Sequence, residues 1–194
     1  MINKNTPLAF VDIETTGSQS AHHEIIEMAI LRIDNEKVTE FQHLFKPKED
    51  IPNFIQKLTG ITNQKVANQP DIKLYLDEIQ DMLRDAIFIA HNVTFDFNFI
   101  QALFARNHRH LDNILLCSYQ LAKQLYPEDK KHGIDFLVQK HHINIPSRHR
   151  AYGDALAIYQ FWNIIHKEFD PTVLQKNIKM ALKIKNCQAK QLYQ

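Results

Sequence analysis

Four carboxylates and one imidazole stand out in this chain of 194 residues because of where they sit. Asp12 and Glu14 end the apolar run of FVDIETTG (10–17), and Asp96 follows an apolar run in AHNVTFDFNF (90–99). His149 and Asp154 lie five residues apart in SRHRAYGDALAIYQFW (147–162). Strands disfavour acids, and a buried carboxylate needs a partner. Residues two apart on a strand share a face, so Asp12 and Glu14 project together. Each piece alone is weak. An acid at a helix start interacts favourably with the helix dipole, a histidine in a basic loop is ordinarily a surface group, and the chain holds 22 acids and 11 histidines. The combination is specific. Hard oxygen ligands from three segments suit Mg²⁺ or Mn²⁺, which keep several waters and are completed by substrate phosphates. Without cations the four acids would repel one another and titrate upward, so a pair of divalent ions is the expected cofactor.

The elements that must position these residues follow from periodicity and breakers. LAFVDI (8–13) reads as a central strand, and segments 23–33 and 37–47 flank Asp34-Asn35-Glu36 as a hairpin. Pro52 opens a short helix that Gly60 ends, and Thr62 is placed to cap another turn. Ile72, Leu76, Ile79 and Leu83 recur at helical spacing, predicting one amphipathic helix over 71–84. AIFIA (86–90) is a buried strand, followed by a helix with Asn92 as its expected cap. A short strand at 114–116, helices near 118–125, 132–141 and 152–168, and a lysine-rich helix after Pro171 complete the pattern. Strands first, then strand and helix in alternation, predict an α/β fold with a mixed sheet covered on both faces. Acids at the ends of its strands lie where sites in open α/β sheets gather.

Bulk composition narrows the class. With 44% hydrophobic and 23% charged residues the chain suits a globular domain with a sizeable core. A net charge of +1 gives no global pull towards nucleic acid. Two cysteines, Cys117 and Cys187, are too few for a disulfide framework, and Cys117 is expected to be buried and inert. MINKNTPLAF lacks the apolar core of a signal peptide and no run reaches membrane-spanning length, so a cytoplasmic protein with no membrane partner is expected. Residues 1–168 form the expected main domain. Residues 169–194 form a basic helical tail, with Lys176, Lys179, Lys183, Lys185 and Lys190 and no acid after Asp170. Its lysines are placed either to contact phosphates or to form a solvated helix face.

FVDIETTG, AHNVTFDFNF and HRAYGD resemble, in order and spacing, the three exonuclease motifs of the DEDDh (DnaQ-like) 3′–5′ exonucleases. IQKLTGITNQ (55–64) and LAKQLYP (121–127) resemble further segments of that family, and the likeness spans residues 7–168. Among its members the chain looks most like the epsilon subunit of DNA polymerase III and the exonuclease domain of PolC-type polymerases. The resemblance implies an RNase H-like fold with a five-stranded mixed sheet flanked by helices, and removal of nucleoside monophosphates from 3′ ends of DNA, as in proofreading. It implies that Asp12, Glu14 and Asp154 hold one ion, that Asp12 and Asp96 hold a second, and that His149 is the general base. Arg148 and Arg150 are expected to favour the neutral imidazole. Thr15, Thr16, Gly17, Leu58 and Ile61 would line the pocket for the terminal nucleotide, the alternative for Leu58 and Ile61 being core packing. His91 and Asn92 would touch substrate, or Asn92 would only cap its helix.

The resemblance also sets the alternatives. HNVTFDFNF is similar to RNase T, so an RNA or mixed substrate is the competing reading within the enzyme class. Many relatives carry an acid where this chain has Cys117-Ser118. A catalytically idle adaptor that binds 3′ ends or a polymerase subunit would be expected to have lost a ligand or the histidine, and none is lost.

Overall fold

Three antiparallel strands begin the computed structural model, which describes residues 6–183: β1 (Leu8–Thr15), β2 (Ile25–Asp34) and β3 (Lys37–Leu44). The β2–β3 turn places Asn35 and Glu36 at φ of 47° and 69°. Two positive values in succession give the turn whose twist matches a hairpin. Two parallel strands, β4 (Ile87–Ala90) and β5 (Leu115–Cys117), extend the sheet on the other side of β1. Both are short and apolar because both of their faces are covered. The sheet order is β3-β2-β1-β4-β5, with a two-residue strand β6 (Leu182–Lys183) added at the edge.

The period-2 alternation of β1 sorts its side chains between two cores. Ala9, Val11 and Ile13 pack with Phe88 and with Phe97, Ile100 and Phe104 of α4 (Val93–Arg106). Phe10 packs on the opposite face with Ile158, Phe161 and Trp162 of α7 (Ala151–Glu168). Its ring lies 5.3 Å from that of Tyr159 and 6.1 Å from that of Trp162, centroid to centroid. Asp12 and Glu14 share the parity of Phe10, so they continue the α7 side of the strand beyond the core.

Shorter elements fill in the frame. α1 (Asn53–Thr59) ends at Gly60, whose left-handed φ of 68° suits glycine. α2 (Asn63–Val66) is capped by Thr62, whose hydroxyl accepts from the amide of Lys65 at 3.3 Å. The single helix expected over 71–84 is two pieces: a 3₁₀ turn, Ile72–Tyr75, and then α3 (Leu76–Leu83). The carboxylate of Asp71 accepts from the Lys73 amide at 2.9 Å and tightens that first turn. α5 (Ser118–Leu125) and α6 (Ile134–Lys140) complete the α7 side.

The C-terminal segment is more embedded than its charge suggests. α8 (Pro171–Ala181) starts on an Asp170 cap and buries Leu174, Ile178 and Ala181 in the α7-side core, while Lys176 and Lys179 are exposed. β6 then pairs antiparallel with β5, adding a short sixth strand to the five expected. Lys185, Lys190 and Cys187 lie outside the described residues. Among the described residues no helix is long and apolar enough to cross a membrane.

Docking of α8 has a direct test. Ile178→Ala should lower unfolding free energy by about 2–5 kcal/mol, because it removes a buried side chain and leaves a cavity. Val173→Ala, on the exposed side, should stay within about 0.5 kcal/mol. Urea unfolding of the two variants checks this, and equal, small losses would contradict the packing.

Candidate active site

β1 delivers Asp12 and Glu14 to its C-terminal end, where β2 still flanks it, while β4 pairs only with Leu8, Ala9 and Phe10. Sites in open α/β sheets gather at such carboxyl ends of strands. The register with β2 slips between Glu14 and Thr15, a bulge that bends the strand end. The following turn is tied down. Thr15 donates its hydroxyl to the Gly17 carbonyl at 2.7 Å. The amides of Thr16 and Glu24 bond the Glu24 carbonyl and the Thr16 hydroxyl, both at 2.9 Å. A Cβ on Gly17 would fall 2.3 Å from the ring of His23, so glycine lets that ring lie against the turn.

The other two acids arrive in the first turns of helices, where an acid also meets the positive end of the dipole. Asp96 of α4 is 3% exposed and Asp154 of α7 is 5% exposed. One carboxylate oxygen each from Asp12, Glu14 and Asp154 lies within 4.8 Å of the others. Backbone groups of Asp96 and Ile13 partly oppose the effect of burial on the Asp96 carboxyl, and the Asp96 charge bears on Asp12. All four carboxyls are held above the usual carboxylate range, and burial is the main cause for each. For Asp12, burial is reinforced by Asp96, Asp154 and Glu14. Glu14 is raised to about 7 by burial, then by Asp154 and Glu27. An all-oxygen set of crowded acids that resist ionising by themselves fits a hard divalent cation.

Around the acids lies a rim of arginines. Arg148 pairs with Asp154 through Nη1 and with Asp135 through Nε, the latter at 2.5 Å. Arg150 forks onto Glu27 of β2, with Nη2 2.7 Å from Oε1 and Nε 3.0 Å from Oε2. Each guanidinium is thus committed to a carboxylate. Between them His149 is partly exposed, with a left-handed φ of 54°, and its charge bears on Asp154 and Asp135. Gly153 makes the approach possible: a Cβ there would sit 1.9 Å from the Ser147 carbonyl oxygen.

The remaining expected residues divide. His91 follows β4, and its Nδ1 lies 2.9 Å from the Ser118 hydroxyl, which donates to the Ala90 carbonyl at 3.2 Å. That donation makes the hydroxyl an acceptor for the Nδ1 hydrogen and leaves Nε2 as the basic nitrogen. Burial, then the charge of Arg148, pushes the His91 pKa down to about 4, so the ring is neutral near pH 7. Asn92 does not cap α4. Its side chain makes no capping bond, because the residue takes the left-handed conformation (φ 73°) that turns the chain out of β4, and it is exposed. Leu58 is 53% exposed, whereas Ile61 is fully buried with Ile26, Ile51, Ile55 and Val66.

Sequence reasoning missed Glu27, Asp135 and Ser118. Glu27 did carry a signal, an acid inside the otherwise apolar IIEMAIL. Ser118 lies in the Cys117-Ser118 pair that stands where many relatives carry an acid, whereas Asp135 looks like an ordinary helix-start residue and carries none.

Glu14 offers a pH-linked test. Its folded pKa of about 7 exceeds the ordinary 4.5, so its ionised form destabilises the metal-free fold above about pH 7. That penalty fades as pH falls and is absent below 4.5, where folded and unfolded states both hold the proton. In EDTA, Glu14→Gln should therefore raise Tm near pH 8 by several degrees, about 1 kcal/mol being worth roughly 2–4 °C at this size. The gain should vanish near pH 4.5. Thermal melts across that range check it; a loss of stability at pH 8, or a gain independent of pH, would contradict the electrostatic picture.

Comparisons with known proteins agree with this geometry. Residues 9–161 match the RNase_T family model, described as "Exonuclease". The 3′–5′ exonuclease DinG of Staphylococcus epidermidis is 34% identical over 149 residues, covering 76% of this chain and 16% of that protein. The PolC-type DNA polymerase III of Halalkalibacterium halodurans is 32% identical over 166 residues, covering 84% of this chain and 12% of that protein. The chain thus spans less than a fifth of either relative. Among solved structures, exonuclease X in complex with 5′ overhanging duplex DNA superposes with a TM-score of 0.65. That match is 22% identical and covers 88% of this chain and 99% of that one, a likeness of fold. The strand order, the crowded acids and the extent of the family match make one conclusion: the chain belongs to the RNase_T exonuclease family, the DnaQ-like exonucleases, and carries their RNase H-like α/β fold.

Proposed function

We propose that this chain is a metal-dependent 3′–5′ exonuclease that hydrolyses the terminal phosphodiester of DNA and releases nucleoside monophosphates. The observation that carries the proposal is the convergence of Asp12, Glu14 and Asp154 within 4.8 Å, with Asp96 buried behind them and His149 on the adjoining loop. Two Mg²⁺ or Mn²⁺ ions, when bound, would acidify an attacking water and stabilise charge on the leaving 3′-oxygen. Asp12 would be shared between the ions, with Glu14 and Asp154 completing one and Asp96 the other. His149, on a partly exposed loop, would take the proton from the attacking water as general base. Thr15, Thr16 and Gly17 form the edge of the crevice nearest Glu14, and their hydrogen-bonded turn would meet the terminal nucleotide. The exposed Leu58 and the neutral ring of His91 are further candidates for contact with the strand end; buried Ile61 would support Leu58 from behind.

Proofreading beside a polymerase is the cellular role this reading favours, because a PolC-type polymerase is among the relatives. A cytoplasmic location follows from that role. We propose residues 1–168 as the catalytic unit, with α8 and β6 bracing it.

Digestion of 3′- and 5′-labelled DNA and RNA oligomers of equal sequence tests the proposal. Mg²⁺ or Mn²⁺ should support stepwise loss of 3′ nucleotides from DNA, and EDTA should abolish it. His149→Ala should fold normally and lose about 10²–10⁴-fold in turnover, the range general-base catalysis supplies. Attack from 5′ ends, or activity in EDTA, would sink the mechanism. Strong preference for RNA would replace the DNA substrate with an RNase T-like one.

A further inference from the structure

The loop that carries His149 is fastened to the sheet by a contact far away in sequence. Glu27 sits near the start of β2, is fully buried, and faces Glu14 across the β1–β2 ladder. Its carboxylate receives four hydrogen bonds from the loop. The Arg150 Nε lies 3.2 Å from Oε1 and 3.0 Å from Oε2, Arg150 Nη2 lies 2.7 Å from Oε1, and the Ala151 amide lies 3.0 Å from Oε2. Gln42 Nε2, on β3, approaches Oε1 at 3.5 Å. A buried carboxylate is tolerated only when it is paired and fully hydrogen-bonded, and a forked arginine meets that demand with fixed geometry. Such a pair defines where the loop must sit, because the fork and the amide leave Arg150 and Ala151 no alternative placement at the head of α7.

Two more contacts hold the same loop. Arg148 bridges Asp135 and Asp154 on one side of His149, and the Ser147 carbonyl lies against the hydrogen-only face of Gly153. His149 is thus the one residue between two anchored arginines, at a left-handed φ of 54°. Resting on the general-base reading of His149, we propose that Glu27 and Arg150 are positioning residues: together they clamp the 147–151 loop so that the imidazole faces the acid cluster. They act through His149, touching neither substrate nor ion.

Double-mutant kinetics separate this role from simple stability. Arg150→Met, Arg150→Lys and Glu27→Gln are each placed in the wild-type and in the His149→Ala background. Steady-state cleavage of a DNA oligomer is then measured with saturating Mn²⁺. Arg150→Met should lower kcat by about 10–100-fold in the wild-type background, the scale of a misplaced catalytic group. The oligomer KM should change by less than about threefold, because no ground-state contact with the strand is lost. In the His149→Ala background the same substitution should change kcat by less than about twofold, as expected for residues acting as one unit. Arg150→Lys keeps the charge that neutralises Glu27 but not the fork, and should fall between the two; it serves if Arg150→Met does not fold. Glu27→Gln keeps an acceptor for the Ala151 amide and should likewise weaken kcat only when His149 is present.

Amide exchange across 147–152 supplies a readout independent of nuclease activity, and it should quicken in Arg150→Met and Glu27→Gln. Equal kcat losses in both backgrounds, or unchanged exchange in the loop, would overturn the clamp. If His149→Ala alone cleaves like the wild type, the general-base reading falls and the positioning role falls with it. Quickened exchange in that case would mark the pair as a loop anchor without a catalytic task.

Discussion

Mutual repulsion of carboxylates in a buried crevice is the constraint around which the rest of the molecule is arranged. Asp12, Glu14, Asp96 and Asp154 converge from three segments into a place where burial alone opposes their charges. Nothing local would hold them there. The hydrophobic layers on both faces of the sheet do: Phe10 under α7 fixes where Asp12, Glu14 and Asp154 meet, and Val11 and Ile13 beside α4 fix where Asp96 comes in. Helix dipoles offset part of the repulsion for Asp96 and Asp154, and Arg148 offsets more for Asp154. The residual tendency to stay protonated is the property that divalent cations relieve.

The same constraint explains what surrounds the crevice. Arginines occupy its rim and are already paired, Arg148 with Asp135 and Asp154, Arg150 with Glu27. Glycines appear where backbone must approach closely, as at Gly153 against the Ser147 carbonyl and at Gly17 against His23. The α8–β6 extension adds apolar cover on the α7 side and closes the edge of β5. An edge strand left unpaired would be open to pairing with other chains, which a short antiparallel addition prevents.

Much of this was legible in the chain itself, and the physical reason differs by feature. Alternation in β1 and helical spacing in α7 are local, so the facing of Asp12 and Glu14 and the helix that follows His149 could be read from residue types. Motif order then named the family. What escaped was either a choice between near-equal local conformations or a long-range pairing. The 3₁₀ turn at Ile72–Tyr75 differs from α-helix only in closing its hydrogen bonds over three residues instead of four, and its Asp71 cap tips the balance. Asn92 has a good capping side chain yet adopts a left-handed turn because the chain must bend sharply out of β4. Leu58 and Ile61 lie three residues apart across Gly60, and only the packed structure separates the exposed one from the buried one. The Glu27–Arg150 pair joins residues 123 apart, which no local period encodes.

The central claim, that the acid cluster exists to hold divalent ions, is most directly tested by titrating Mn²⁺ into the protein and counting bound ions by electron paramagnetic resonance. The account predicts two ions per chain for the wild type near pH 7.5. It predicts loss of both on Asp12→Asn, and weaker binding near pH 5 as the raised carboxyls take up protons. Binding that is weak, or indifferent to Asp12→Asn, would contradict it.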